Sequence, residues 1–460
     1  MASVKESEIL TQVGPGTPMG ELMRQYWIPA AMSRELQANG SPMRLMLLGE
    51  RLIAFRDNSG KVGIMDHRCP HRCASLFYGR NEEGGIRCVY HGLKFDVDGN
   101  CLDMPNVPSQ YEYKSKIKAR AYKTLERNGL IWVYMGPRAE PPALPALEPA
   151  LLPADQTLLF FSERDCNWLQ ALEGEIDTSH ISFLHWGSVR AEDLPEGNIA
   201  RYALANRRPE LKVTTTGFGT MYGAWREVDG KIYWRFSPFA FPFWTMPPEG
   251  HFIQHLLVRA WVPLDDYHTM MINLAWKGNA PRSRKLKNGE LPAGFGDRPE
   301  NGSSAARTVE FLPNTTDWFG RWRLRQNASN DYEIDREVQR TASFTGIPGI
   351  HAQDQAITES MGPIVDHEFE HLGHGDLMII QTRRRLVQAA LALQNEGTIP
   401  PGVDDPELYL QVHAGDFVTD EQRDAVELYT TYPRTWVDLK GTVHTPDSDR
   451  RGEQSTQAAK

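Results

Sequence analysis

The 460-residue sequence contains no apolar run long enough to cross a membrane. A spanning helix needs about 20 consecutive, predominantly apolar residues, and charged or turn-forming residues interrupt every apolar stretch of this chain before that length. The first ten residues, MASVKESEIL, also lack an apolar core of signal-peptide length. These absences predict a cytoplasmic protein that has no membrane partner.

A basic stripe that could follow a nucleic-acid backbone is missing as well. The formal net charge is -9 at pH 7, and the basic run at 383–385 is flanked by apolar residues, as on the edge of a helix. Nucleic-acid-binding domains concentrate Lys and Arg on one face. We therefore expect no nucleic-acid partner.

Cysteine is scarce. An odd and small number of cysteines in a long chain argues against a disulfide framework and favours a reducing compartment. Four of the five nevertheless lie between positions 69 and 101, which is the first indication of chemistry. The five are Cys69, Cys73, Cys88, Cys101 and Cys166.

The pattern of apolar residues differs between the two parts of the chain. Residues 18–30 are predicted to form a short helix that ends near Pro29, and 43–65 alternate as in a hairpin. Short strand-like runs continue to about residue 136, which is typical of a small β-barrel or sandwich. Residues 137–154 are rich in Pro and Ala and read as a linker.

The second part mixes helical and strand patterns. Residues 166–186 and 373–396 are predicted helices, 211–275 carry strand patterning, and the polar C-terminal end is predicted to be disordered. We predict an N-terminal arm at 1–25, an all-β domain at 26–140, a larger mixed domain at 141–445 and a disordered tail at 446–460.

Two pairs of metal-ligand residues stand out. Cys69-Pro70-His71 is followed, after 16 residues, by Cys88-Val89-Tyr90-His91. Zinc sites usually leave two or more residues between paired ligands, so a Cys-x-His pair is cramped on a single ion. In a Rieske cluster two Cys bind one iron and two His bind the other. The Cys and the His of each pair would therefore bind different irons, which the short spacing allows. The spacing favours this cluster over zinc or an unrelated pair of motifs.

A second set of residues suggests a mononuclear iron. His180 and His185 are five residues apart, and on a regular helix they would diverge by about 140°. Both reach one ion only if the helix ends or kinks between them. Two His and one carboxylate form the facial triad of oxygen-activating Fe(II). Asp177 could instead orient His180 as a hydrogen-bond acceptor, and spacing does not choose among the carboxylates Asp177, Asp354, Glu359, Asp366 and Asp376.

Together the two patterns resemble the Rieske non-haem iron ring-hydroxylating oxygenases. The segments VGPGTPMGELMRQYW and TGIPGIHAQDQAITESMGPIVDHEFEHLGHGD are similar to the phthalate 4,5-dioxygenase-like subgroup. The resemblance implies an α+β fold, with an N-terminal all-β Rieske domain and a C-terminal catalytic domain whose helices pack on an antiparallel sheet, in a helix-grip-like arrangement. It also implies a [2Fe–2S] cluster at Cys69, His71, Cys88 and His91 and an Fe(II) ion at His180, His185 and Asp354.

The same resemblance implies partners and a role for Asp177. Asp177 would bridge His180 to His91 of the neighbouring subunit in a head-to-tail homotrimer, or in a stack of two trimers. A separate flavin/iron–sulfur reductase would supply electrons, and O₂ would dihydroxylate an aromatic carboxylate such as phthalate, or remove the methyl group of a lignin-derived methoxylated aryl acid. Four arginines are predicted to bind the substrate carboxylate, because their guanidinium groups match it bidentately: Arg207, Arg208, Arg226 and Arg235.

Two functions of other classes compete with this interpretation. A Rieske electron carrier would need only the first set of ligands, but about 300 residues follow it. His367-Glu368-Phe369-Glu370-His371 matches the zinc-protease motif HExxH. That motif needs a long buried helix, whereas Pro363 and Gly373 limit any helix here to two or three turns.

Overall fold

The structure is a computed structural model that describes residues 4–280, 282–295 and 309–446. The predicted disordered tail therefore lies outside the described residues, apart from residue 446. No helix in the described ranges is long and apolar enough to cross a membrane.

The N-terminal part consists of two antiparallel sheets. Six strands pair in the order β1-β10-β9-β4-β3-β2, and four short strands pair in the order β5-β6-β7-β8. The strands are β1 (Trp27–Met32), β2 (Met43–Leu47), β3 (Glu50–Arg56), β4 (Val62–Asp66), β5 (Arg80–Glu82), β6 (Gly85–Arg87), β7 (Lys94–Phe95), β8 (Cys101–Asp103), β9 (Ala121–Arg127) and β10 (Leu130–Tyr134). The predicted hairpin is confirmed as β2 and β3, which Leu48 and Gly49 join with positive φ, as a tight two-residue turn requires.

The predicted helix over 18–30 is wrong in its second half. The helix ends at Arg24, and Pro29 lies inside strand β1. Strand β1 is at the edge of the six-stranded sheet, and its pairing with β10 shifts register between Pro29 and Ala31. A proline is tolerated in such a strand because an edge position or a bulge does not need its missing N–H.

The second part is built on an eight-stranded antiparallel sheet. Its order is β11-β17-β16-β15-β14-β13-β12, and β18 pairs with β14. These strands are β11 (Thr157–Arg164), β12 (Glu210–Thr215), β13 (Gly219–Val228), β14 (Lys231–Ala240), β15 (Trp244–Thr245), β16 (Leu257–Pro263), β17 (Thr269–Trp276) and β18 (Gly415–Thr419), and a separate pair is β19 (Trp436–Val437) with β20 (Val443–His444).

Helices cover this sheet. They are α1 (Val4–Thr11), α2 (Pro18–Arg24), α3 (Glu148–Leu151), α4 (Trp168–Ile176), α5 (Ala200–Ala205), α6 (Arg336–Thr341), α7 (Ile350–Ser360), α8 (Leu377–Glu396) and α9 (Ala425–Thr431). Helix α8 packs across β12 and β13, α4 packs against β14 to β17, and α1 and α2 pack on α8. The fold is therefore α+β, as predicted, with helices on an antiparallel sheet.

The N-terminal segment is fastened to the start of helix α4. The Asn167 side chain caps α4 by accepting from the Leu169 N–H, and its amide donates to the Thr11 carbonyl at 2.9 Å. The indole N–H of Trp168 donates to the Leu10 carbonyl at 3.1 Å. Helix α1 thus supports the first turn of the helix that leads into His180.

A buried ion pair holds the other end of α4. The Arg383 guanidinium on α8 forms two hydrogen bonds to Glu173, of 2.5 and 2.7 Å, and two to Glu370, of 2.5 and 2.8 Å. The side chains of Arg383 and Glu173 are 7% and 8% exposed. Since a buried carboxylate without a partner is costly, this pair ties α4 to α8 four residues before Asp177.

Replacing the shared cation should destabilise the protein strongly. Arg383→Met leaves Glu173 buried and without a counterion, so we expect the free energy of unfolding to fall by about 3–5 kcal/mol. The matched control is Arg340→Met, because Arg340 pairs with Glu337 on the surface, where the two side chains are 70% and 67% exposed. The control should stay within about 0.5 kcal/mol of the wild type in urea denaturation. Equal losses in the two variants would contradict the assignment.

Candidate metal centres and active-site cavity

The two Cys/His loops have the same backbone hydrogen bonds. In each loop the cysteine N–H donates to the carbonyl five residues later, and the cysteine carbonyl accepts the N–H four residues later. The distances are 2.8 and 2.8 Å for Cys69 with Ala74 and Cys73, and 2.8 and 2.9 Å for Cys88 with Leu93 and Gly92. The fifth position has positive φ in both loops, 60° at Cys73 and 82° at Gly92, so two equivalent turns present the four side chains.

The thiols and imidazoles of these loops face one another. Cys69 and Cys88 are 1% and 3% exposed, and burial, together with the nearby Cys88, raises the pKa of the Cys69 thiol to about 11. The rings of His71 and His91 lie with their centroids 4.5 Å apart. Nδ1 of His91 is buried and has no hydrogen-bond partner among the described residues. Two inward thiols and an unpartnered ring nitrogen suit a cluster that they would ligate.

These four side chains do not suit a single ion. Among the described residues, the one group of three or more Cys, His, Asp or Glu whose donor atoms all lie within 4.8 Å of one another is His180, His185 and Asp354. The Cys/His donors are therefore too widely spread for tetrahedral zinc, whose ligands bind at about 2.0–2.3 Å. Two irons, each with two protein ligands, account for the spread.

The chain brings His180 and His185 together because helix α4 ends before both of them. The helix runs only to Ile176, and Asp177 is extended, with φ -82° and ψ 126°. A single π-helical turn, Ile181–His185, then carries the second histidine back toward the first. The continuous helix predicted over 166–186 is therefore interrupted, as the convergence of the two histidines requires.

Asp354 completes this group from helix α7. Its Oδ1 lies 3.2 Å from Nε2 of His185 and 3.8 Å from Nε2 of His180. Burial raises the pKa of the Asp354 carboxyl, but the two histidines outweigh that effect and hold it well below its usual value. Three convergent donors of this kind, two imidazoles and one carboxylate, fit an Fe(II) ion.

The far ring nitrogen of each histidine also has a neighbour. Nδ1 of His180 lies 3.3 Å from Oδ2 of Asp177, and Nδ1 of His185 lies 2.8 Å from Oε1 of Gln353. Asp177 also accepts from the N–H and hydroxyl of Ser179, at 2.7 and 2.6 Å. Burial raises the pKa of Asp177, but His180 and Ser179 overcome this and lower it to about 2.

The other carboxylates that the sequence offered are used elsewhere. Glu359 accepts from the Tyr332 hydroxyl and from the Asp165 N–H. Asp366 accepts from the backbone of its own turn, and Asp376 accepts from the Gly373 N–H at 2.7 Å. Geometry thus separates Asp354 from the alternatives that spacing left open.

A cavity of about 230 Å³ opens beside the three convergent side chains. Its apolar wall includes Ile181, Leu184, Trp186, Trp261, Met271 and Ile350, and its polar wall includes five arginines, Arg164, Arg235, Arg259, Arg282 and Arg284. A mostly apolar cleft with a few convergent polar groups is the usual form of a small-molecule site.

Of the four arginines predicted for substrate binding, only Arg235 lines this cavity. Arg207 donates to the carbonyls of Ser182 and Val189, at 2.6 and 3.0 Å, and so braces the π-helical turn. Arg208 is exposed on the surface. Arg226 is buried behind Arg235 on the neighbouring strand, and burial lowers its pKa to about 10.

Sequence reasoning missed a buried ionic group in the cavity wall. Arg259 donates twice to Glu175 at 2.7 Å, once to Glu249 at 2.6 Å and once to Asn273 at 3.1 Å. The signal was present, since Arg259 is the one charged residue in the apolar strand LVRAWVP. A charged residue inside such a run usually has buried partners.

The HExxH segment does not form a helix. Residues 367–371 make a turn and a loop. Nδ1 of His367 lies 2.7 Å from the Ser7 hydroxyl, Glu370 pairs with Arg383, and Nδ1 of His371 lies 2.8 Å from the Phe369 carbonyl oxygen. The zinc-protease alternative is therefore wrong, because its two histidines need consecutive turns of one helix.

Comparison with known proteins identifies the two parts of the chain. The family model of the Rieske [2Fe-2S] domain matches residues 26–119, and a model described as LigXa C-terminal domain like matches 133–286 and 311–445. The chain is 48% identical over 426 residues to the 3-chlorobenzoate-3,4-dioxygenase oxygenase subunit of Comamonas testosteroni, which covers 92% of this chain and 97% of that protein. The chain belongs to the Rieske aromatic-ring-hydroxylating oxygenases.

Two further relatives delimit what this membership establishes. The oxygenase is 35% identical over 408 residues to the phthalate 4,5-dioxygenase oxygenase subunit of Pseudomonas putida, which covers 86% of this chain and 87% of that protein. A solved structure of dicamba monooxygenase covers 80% of this chain and 99% of its own, with a TM-score of 0.51 and 18% identity. At that identity the dicamba enzyme supports the fold alone.

Membership of the family settles the class of enzyme and its cofactors. This Rieske oxygenase is an oxidoreductase that carries a [2Fe–2S] cluster and a mononuclear iron. The electron-carrier alternative is therefore wrong, since the chain belongs to a family of oxygenases and a second family model matches residues 133–286 and 311–445.

Proposed function

We propose that this chain is the terminal oxygenase component that dihydroxylates an aromatic carboxylate with O₂, using electrons from a separate flavin/iron–sulfur reductase. The observation that carries the proposal is the convergence of His180, His185 and Asp354 on one wall of a cavity that Arg235 also lines. The names of the two relatives, which specify a chlorobenzoate and phthalate, support an aryl carboxylate as the substrate.

In this proposal the two metal centres have separate protein ligands. Cys69, His71, Cys88 and His91 hold the cluster, and His180, His185 and Asp354 hold the iron. When bound, the cluster supplies single electrons and the iron supplies the redox chemistry that activates oxygen. The residues of the chain hold the donors in register, orient the substrate and shield the cavity from bulk water.

The ligand set predicts the result of removing the carboxylate. Asp354→Ala should lose the mononuclear iron, because two neutral imidazoles remain where a charged ligand is needed. The iron content should fall from about three to about two atoms per chain, while the cluster absorbance is retained. Asp376→Ala is the control, since Asp376 bonds only to its own turn among the described contacts. Unchanged iron in Asp354→Ala would refute the ligand set.

Electron entry is proposed to cross a subunit interface through Asp177. Within one chain the described contacts of Asp177 are to Ser179 and His180, and the carboxylate remains 21% exposed. Apolar side chains are exposed beside both centres: Val89 and Tyr90 at 58% and 54% near His91, and Ile357 and Met361 at 42% and 45% at the cavity that Asp354 also lines. We propose that these surfaces pack against each other in a head-to-tail homotrimer, or in two stacked trimers, since a heterologous contact of this kind can close into a ring.

Neutralising the proposed bridge should slow electron transfer without removing either metal. Asp177→Asn keeps the shape of the side chain, so iron and cluster content should stay at the wild-type level. Because the negative charge beside His180 is lost, the rate at which oxidised iron draws electrons from a pre-reduced cluster should fall at least 10-fold. The rate is followed by stopped-flow absorbance of the cluster. Turnover at the wild-type rate would mean that Asp177 is not the bridge.

The charges of the cavity favour an anionic substrate held by Arg235. Arg259 is neutralised by Glu175 and Glu249, and Arg282 forms two hydrogen bonds to Asp416, of 2.8 and 2.5 Å. Arg235 is 8% exposed, it donates to the Tyr233 hydroxyl at 3.3 Å, and its Nε has no partner among the described residues. A carboxylate would satisfy this buried guanidinium through charge-assisted hydrogen bonds.

O-demethylation is the second candidate, and one relative favours it. The chain is 40% identical over 204 residues to the 5,5'-dehydrodivanillate O-demethylase oxygenase subunit of a Sphingobium strain, which covers 43% of this chain. The two reactions differ in product mass. Dihydroxylation adds two oxygens and two hydrogens to the substrate, whereas demethylation replaces a methyl group by hydrogen.

Turnover of a panel of benzoates, phthalates and methoxybenzoates with a compatible reductase tests the proposal. Arg235→Met should lower kcat/KM for the carboxylates about 10- to 100-fold, the loss expected for a charge-assisted hydrogen bond of about 1.5–3 kcal/mol. Arg208→Met is the matched control, because Arg208 is exposed and does not line the cavity. Equal kcat/KM in the two variants, or turnover of uncharged arenes alone, would contradict the substrate class.

A further inference from the structure

The two histidines beside the cavity are held at their far ring nitrogens in different ways. His180 faces a carboxylate, Asp177, whereas His185 faces a carboxamide, Gln353. A carboxylate accepts hydrogen bonds only, but a carboxamide has one accepting and one donating end. Whether Gln353 fixes the proton of His185 therefore depends on what holds the amide itself.

Two backbone carbonyls fix the orientation of the Gln353 amide. Nε2 of Gln353 donates to the Gly294 carbonyl and to the Ile347 carbonyl, both at 2.9 Å. Since a carbonyl oxygen cannot donate, the amide nitrogen must face these two groups. Oε1 is then the end that faces Nδ1 of His185, at 2.8 Å.

Burial and loop structure prevent the amide from turning over. Gln353 is 1% exposed, so an inverted amide would place its oxygen against two carbonyl oxygens with no water to separate them. The Gly294 carbonyl also accepts the Gly349 N–H at 3.0 Å, which anchors this loop to the start of helix α7. Phe295, the next residue, packs on Trp186 with ring centroids 4.3 Å apart.

We infer that Gln353 is a positioning residue that fixes the tautomer of His185, with the proton on Nδ1 and the lone pair on Nε2. Nε2 is the atom that lies 3.2 Å from Oδ1 of Asp354, so this tautomer directs the Nε2 lone pair at the position that the metal ion would occupy. This inference rests on the ligand set proposed above. Partners of this kind typically contribute a factor of 10–100 in metal affinity.

The test is metal affinity, measured on protein that keeps its cluster. Mononuclear iron is removed with a chelator, and Co(II) is titrated as the probe, followed by its visible absorbance difference. Gln353→Met has similar volume but cannot accept from Nδ1, so it should bind Co(II) about 10- to 100-fold more weakly than the wild type. Wild-type affinity in this variant would overturn the inference.

A matched control distinguishes the loss of the Gln353–His185 hydrogen bond from general damage to helix α7. Gln355 lies on the same helix, is 3% exposed and donates to Glu359 at 2.7 Å, away from either histidine. Gln355→Met should therefore bind Co(II) as tightly as the wild type. An equal loss in this control would mean that helix packing, and not the amide, sets the affinity.

A double-mutant cycle distinguishes this inference from the ligand set on which it rests. If Gln353 acts through His185, adding Gln353→Met to His185→Ala should cause no further loss of affinity. A further loss equal to that in the wild-type background would refute the inference that Gln353 acts through His185, while leaving the ligand set intact. If His185→Ala alone binds Co(II) with wild-type affinity, the ligand set is wrong, and the inference about Gln353 is wrong as well.

A second substitution keeps the test decisive if Gln353→Met does not fold. Gln353→Asn retains the amide but is one methylene shorter, so it cannot reach both Nδ1 of His185 and the two carbonyls. The same 10- to 100-fold loss is expected. Cluster absorbance and the unfolding temperature of each variant establish that the compared proteins are folded. Wild-type Co(II) affinity in folded Gln353→Asn would also refute the role of Gln353.

Discussion

The geometry of the active site depends on where helix α4 stops. Had the helix continued through 186, as the apolar pattern suggested, His180 and His185 would have diverged by about 140°. The helix instead ends at Ile176, because Asp177 is extended and accepts hydrogen bonds from the next turn of backbone. One local interaction thus frees the chain to form the π-helical turn that returns His185 to His180.

This ending must be held firmly, since the three donors have to converge on one ion. The start of α4 is tied to helix α1 through Asn167 and Trp168, and its last turn is tied to α8 through the buried pair Glu173–Arg383. Arg383 also forms an ion pair with Glu370, so the HExxH segment has a structural role. Residues 367–371 therefore help to hold helices α4 and α8 together, and they contribute no ligand to the iron site.

The sequence was most informative where chemistry restricts spacing. Two irons require two ligand pairs, so Cys69, His71, Cys88 and His91 could be found without a structure. It was least informative where contacts join distant segments. The choice of Asp354 over Glu359 depends on which carboxylate points across to His185, and only one of the four suggested arginines reaches the cavity. Strand β1 likewise accepts Pro29 because of its edge position, which propensity does not encode.

The electrostatics of the iron site suggest why its two histidines have different partners. Asp354 and Asp177 already place two carboxylates at the site, and Glu175 and Glu249 lie in the cavity wall, where Arg259 neutralises them. A third carboxylate at position 353 would face the carbonyls of Gly294 and Ile347 and would add a third negative charge to the site. A neutral amide fixes His185 without that cost. The charged acceptor is placed instead beside His180, on the partly exposed side, where a bridge to a second subunit would need it.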